Sequence, residues 1–282
     1  MRGLRGRYAA SGELDQPTPR TLALIAFAAI AATVLTIWII FANFYQIENP
    51  DHSGHFPWLG AALVWVFAGE LTWLRWPASR IGPLMILVGF AHFTYVPSLT
   101  AISALWLLSS LLNGLELLLV ALVFLSYPTG RLTNPIDRRL FAVLVAWWAA
   151  TAIIGTLADP HDLNPIIVIR DEGAQAAIFS AFDMIGAVLL LIVAIRVVSQ
   201  WREASAAERS LRTPIVVALI PYVVVLGFEW LDRIIGANVL TELANNWPGG
   251  LTDYAFPLAV LYVLWHSQRV PAVGRAAESS AG

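Results

Sequence analysis

The side chains with chemical potential in this sequence are ionisable groups that interrupt long apolar stretches. Glu116 stands between leucines, and Asn113 lies three residues earlier, a spacing that puts both on one face of a continuous helix. At 1.5 Å per residue Glu116 is about 16 Å from Tyr127, where the stretch ends, which is close to mid-bilayer. A carboxyl at that depth either takes a proton or ligand, or hydrogen-bonds a neighbouring helix and fixes its packing. Asp183 interrupts a second stretch. Glu229, Asp232 and Arg233 share a helix face, and Asp253 and His92 are expected at the same level. Together with Asn113 and Glu116 these are the candidate ligand-sensing residues. Apart from the Asn113 and Glu116 pair, they predict an acidic cavity open to the outside, with Arg233 as counter-ion, or the bland alternative of solvated helix ends. Glu70, about 7 Å from the inner end, reads as reaching towards headgroups or pairing with Arg75 or Arg80.

Asp51, His52 and His55 in the segment DHSGH, with His161 in a later polar loop, are weak candidates for metal ligands, since imidazole and carboxylate both bind zinc. Their order matches no diagnostic spacing, solvated turns explain them equally well, and neither a metal nor another cofactor is expected. Exposed histidines could equally sense pH. There is no nucleophile elbow, phosphate-cradling loop or metalloprotease helix motif, so these 282 residues are not expected to be an enzyme. The absence of cysteine removes disulfides, thiolate catalysis and iron–sulfur clusters.

The elements that must hold these residues follow from composition. Of 282 residues 58% are apolar and 13% charged, and the mean hydropathy is +0.70. Soluble domains have roughly 45–50% apolar and about 25% charged residues, so a soluble enzyme is excluded. The apolar runs are unbroken rather than alternating, which argues against a transmembrane barrel. They predict an all-α polytopic membrane protein, a bundle of eight transmembrane helices near 21–43, 57–74, 81–97, 99–127, 139–157, 175–196, 214–233 and 251–267. The domain layout is a basic cytoplasmic arm at 1–20, the transmembrane domain at 21–267 and a short cytoplasmic tail at 268–282.

With the N-terminus inside, 15 of the 17 arginines fall in inner segments, and only Arg170 and Arg233 fall outside. In loops this short, that bias places both termini in the cytoplasm and the protein in the inner (plasma) membrane. Asn134, Pro135 and Asp137 form a helix-start signal ahead of the fifth span. Ser205 with Glu208 has capping-box spacing, and Thr213 with Pro214 suggests a second start, so the 197–213 loop is expected to carry its own short helix. Pro221 and Pro257 are expected to interrupt spans seven and eight.

Three inner segments carry a resemblance. RWPASRIGPLMILVGF at 75–90 has an Arg, Pro and Ile-Gly pattern ahead of a span, and LVFLSYPTGRL at 122–132 ends a span on Pro-x-Gly-Arg-Leu. WREASAAERSLRTP at 201–214 is an arginine-rich loop before the last two spans. Taken together they resemble the N-terminal membrane-spanning sensor region of actinobacterial two-component histidine kinases, over about residues 20–267. The resemblance implies a signal-input module that lacks the kinase domain in this chain and passes a conformational change to a kinase or response-regulator partner, with a homodimer as its form. On this reading the cytoplasmic signalling residues are Arg75, Arg80, Pro128, Gly130, Arg131, Arg202 and Arg209. A longer parent chain would be a protein histidine kinase. The lipid bilayer is the other partner, and no nucleic acid is expected. Two alternatives stay open: a small transporter or channel, and a membrane scaffold.

Overall fold

The computed structural model describes residues 16–42, 55–100, 102–235 and 252–269, and every regular element among them is helical. In chain order these are α1 (Pro19–Ala42), α2 (His55–Arg75), α3 (Ile81–Ala91) running into a 3₁₀ segment (His92–Leu99), α4 (Ser103–Leu112) and α5 (Leu115–Ser126). They continue with α6 (Pro135–Ala158), α7 (Glu172–Glu203), α8 (Ala206–Ile235) and α9 (Ala255–Arg269). Among the described residues, five stretches are long and apolar enough to cross a membrane: α1, α3 with its 3₁₀ extension, α4 with α5, α6, and α7. The 1–15 and 270–282 parts of the expected arm and tail lie outside the described residues.

Lipid as solvent explains which side chains face outward. Phe27, Leu24, Trp38 and Val34 of α1 are each more than 60% exposed, as are few large apolar groups in water-soluble proteins. The interior is built instead from α2, α3, α5, α6, α7, α8 and α9. Trp65, Met85, Val123, Phe124, Leu219, Tyr222 and Phe256 interlock there, with Phe256 stacked on Trp65 at 5.2 Å and edge-on to Phe124 at 4.7 Å.

The tightest helix pair is α2 with α3. Gly82 lies so close to α2 that a Cβ there would sit 2.5 Å from the Trp73 amide nitrogen, and one on Gly89 would sit 2.7 Å from the Ala62 carbonyl oxygen. Helices approach this closely in membranes only where small residues line the seam.

Four expectations need correction. The fourth span is not one helix: it breaks at Asn113 (φ −57, ψ 134) and Gly114 (φ 76, ψ 4). Those angles are a type II turn, whose third position needs the positive φ that glycine adopts freely. The Leu-rich composition on both sides hid the break. The third span ends as a 3₁₀ coil: Pro97 donates no backbone hydrogen bond, and Thr94 and Ser98 hydroxyls donate to carbonyls three residues back. The 197–213 loop holds no separate helix, because residues from Ala206 onward are the first turns of α8, which runs through Pro214 and Pro221 to Ile235. Pro257 falls in the first turn of α9, where its missing N–H costs little. Neither Pro221 nor Pro257 therefore divides its helix.

Two of the three helix-start signals match the structure, the exception being Thr213 with Pro214, which lies inside α8. Asn134 Oδ1 accepts from the Ile136 amide at 2.8 Å with Pro135 at the first position, and Ser205 and Glu208 exchange the two bonds of a capping box.

The α2 to α3 seam gives the first prediction. Gly82→Ala, which must push Trp73 backbone aside, lowers stability by roughly 1–3 kcal/mol. Gly227→Ala, where nothing lies within 4 Å, changes it by less than about 1 kcal/mol in either direction. Thermal unfolding of the two variants in the same detergent measures the difference.

Candidate functional site

Two polar centres lie within the helical bundle, at opposite ends of α3. The first gathers at the end where α3 becomes 3₁₀. His92 is 1% exposed. Its Nδ1 is 2.8 Å from the Val88 carbonyl oxygen, and its Nε2 is 3.9 Å from Asp253 Oδ2, just ahead of α9. Trp58 of α2 covers the imidazole, with ring centroids 5.8 Å apart. Glu116 occupies the first turn of α5 and is close enough to interact electrostatically with both His92 and Asp253. Because the helix breaks at Gly114, Glu116 stands at a helix N-terminus, where free amides favour a carboxylate, rather than in mid-helix. Tyr222 of α8 approaches Asp253 from below; its hydroxyl and the Trp65 indole nitrogen are buried without a hydrogen bond.

So His92, Glu116 and Asp253 come together, although the sequence reading put Glu116 with Asn113 near mid-bilayer, apart from His92 and Asp253. Asn113 does not join through its side chain on a shared helix face, because it belongs to the turn, and its carbonyl accepts from Trp148 Nε1 of α6 at 2.8 Å. Asp183 is half-buried on α7 and is not among the groups acting on His92 or Glu116. Glu229, Asp232 and Arg233, the last of them the expected counter-ion, fall in the last turns of α8, and their side chains lie outside the described residues.

The weak metal candidates fare differently. Asp51 and His52 lie outside the described residues, as does the side chain of His55 at the start of α2. His161 Nδ1 accepts from the Leu163 amide at 3.1 Å and its ring stacks on Trp106 at 5.0 Å, so it shapes a turn. Among the described residues no three His, Asp or Glu side chains are grouped closely enough to hold a metal.

The second centre was not anticipated. Asp137, read from sequence only as a first-turn acid, is 4% exposed and pairs with Arg196 of α7 through Nε at 2.5 Å. Gln200 Nε2 donates to the other carboxylate oxygen at 3.0 Å and to the Leu125 carbonyl at 3.2 Å, while Arg212 Nη1 donates to Gln200 Oε1 at 3.1 Å. One network thus ties α5, α6, α7 and α8. The available signal was Arg196 itself, an arginine inside the apolar run LIVAIRVVSQ, which needs a partner at its own depth. Glu70, by contrast, pairs with neither Arg75 nor Arg80; its Oε1 is buried without a hydrogen bond.

Beside this network the three resembling segments meet. Ser79 Oγ donates to the Pro128 carbonyl at 2.7 Å and the Arg80 amide donates to the Thr129 carbonyl at 3.0 Å. Gly130 has φ 71, and a Cβ there would lie 2.6 Å from the Arg80 carbonyl carbon. Glycine is required on both counts, by conformation and by space. The Tyr127 hydroxyl reaches the Leu211 carbonyl at 3.5 Å, and Arg209 Nε donates to the Ala204 carbonyl at 2.8 Å. Arg75, Arg80, Arg202 and Arg209 project outward, and Arg131 is half-buried. No family model, curated protein or solved structure matches the chain.

The network of Asp137 is charge-assisted and largely closed, so removing one member strands the others. Asp137→Ala is expected to destabilise by roughly 3–5 kcal/mol, the range for breaking a buried pair by deleting one partner. The double variant with Arg196→Ala loses less than the sum of the two single losses. Unfolding of the single and double variants in one detergent measures the coupling.

Proposed function

We propose that the chain is an eight-span protein of the plasma membrane with both ends in the cytoplasm, and that it serves as a signal-input module of the kind found ahead of histidine kinases. The observation that carries this reading is the convergence of the three resembling segments on one turn: Ser79 and Arg80 dock on Pro128 and Thr129, and Tyr127 reaches Leu211. A joint shift of the locked α2 and α3 pair would be delivered directly to that turn and, through Gln200 and Arg212, to the start of α8. The output surface on this reading is the exposed guanidinium array of Arg75, Arg80, Arg202 and Arg209, which suits anionic lipid headgroups or an acidic face of a kinase. The module acts as a homodimer.

The 15 to 2 arginine distribution supports the topology. A chain without cysteine makes it simple to check. A single Cys at Ser205 is expected to react with a membrane-impermeant maleimide only after the cells are opened, whereas one at Asp162 reacts on intact cells; both positions are exposed. Labelling of both from the same side overturns the eight-span arrangement. The signalling role is tested by reading the encoding gene beyond Gly282 and its neighbours: kinase sequence in frame, or an adjoining kinase or response regulator, is expected, and the lack of all of these overturns it.

One observation favours a second reading. Glu116 at the N-terminus of a half-helix is the arrangement by which broken helices hold substrate in transporters. On that reading vesicles carrying the protein show a solute or ion flux that Glu116→Gln abolishes; on the sensor reading the vesicles stay tight.

A further inference from the structure

We propose that His92 and Asp253 form a buried proton-binding site, in which Nε2 of the imidazole takes one proton from the adjoining aqueous phase and holds it against the Asp253 carboxylate. The inference stands apart from the sensor and transporter readings, since it concerns what the site binds and not what the protein does with it.

The imidazole's other nitrogen sets the tautomer. Nδ1 is 2.8 Å from the Val88 carbonyl oxygen, an atom that only accepts, so Nδ1 carries a hydrogen. In a neutral ring Nε2 is then a bare lone pair, and it faces Asp253 Oδ2 at 3.9 Å. A lone pair opposite a carboxylate is repulsive, and His92 is too deeply buried for bulk water to relieve it. One proton on Nε2 reverses the sign of the interaction, and it also places a cation against the Trp58 indole, within the distance at which aromatic rings attract cations.

The surroundings favour the same state. From α5 the group facing His92 is Glu116, a second carboxyl and not a base that could replace the imidazole. From α8 Tyr222 faces Asp253, and Tyr254 adjoins it in the chain. Over its length before Glu70, α2 offers no ionisable group with a described side chain; α4 has none, and α1 has none beyond Arg20 in its first turn. Two carboxyls therefore share one described base and no described guanidinium.

The test uses the full chain in lipid nanodiscs with ¹⁵N-labelled histidine. Replacing the other four of the five histidines by Gln leaves His92 as the sole imidazole signal. The signal is expected to move between the Nδ1–H form and the doubly protonated ring between about pH 4 and pH 9. In Asp253→Asn the midpoint is expected to fall by about one pH unit, a tenfold loss of proton affinity, because the facing negative charge is gone. Glu116→Gln lowers it by less. A signal that does not titrate over that range, or a midpoint unchanged in Asp253→Asn, overturns the proposal. Should the four-fold variant fail to fold, His92 is assigned in wild-type protein as the resonance missing from His92→Gln, and the Asp253→Asn comparison is made there. Loss of the sensor reading through wrong topology or gene context leaves this measurement unaffected.

Discussion

Close approach of α2 and α3 is the contact on which the rest of the arrangement depends. With no side chain at Gly82 and Gly89, the two backbones meet directly, and α3 cannot tilt or slide without breaking that seam. Because α3 is short, fixing it fixes both of its ends. One end presents Ser79 and Arg80 to the turn at Pro128 and Thr129; the other presents His92 to Asp253. The His92 centre and the turn at Pro128 are therefore anchored to one rigid element.

The two centres handle charge in hydrocarbon differently. Around Asp137 each carboxylate oxygen meets a donor, and guanidinium groups balance the acid, so the network behaves as a structural clamp joining four helices. Around His92 the described groups are mostly acids, two buried donors are unused, and the imidazole faces a carboxylate across a gap too long for a hydrogen bond. Closed polar networks in apolar surroundings hold shape, whereas open ones are places where a small ion or proton changes the energy.

Much of this was legible in the sequence, and particular residues show why. The apolar runs fixed helical class and most element bounds because nothing but a helix satisfies its own backbone without water. Asn134 with Pro135, and Ser205 with Glu208, marked their helix starts correctly because capping is a local interaction. His92 and Asp253 could be suspected together because each is an expensive residue at a similar depth, whereas Glu116, counted along an unbroken helix, was placed deeper than it lies beside them. Asp137 was misjudged for the complementary reason: at a helix start an acid has a sufficient local explanation, and nothing nearby in the chain reveals a partner 59 residues away.

What the chain's residue order determined alone was where it becomes helical and which groups are too polar for lipid, since both depend on neighbours within a turn or two. Whether Asn113 and Gly114 bend or continue a helix, which arginine meets Asp137, and that the imidazole of His92 turns its lone pair towards Asp253 were decided only by tertiary structure. Those outcomes depend on which helix packs beside which, and packing between distant segments leaves no local trace in composition or period.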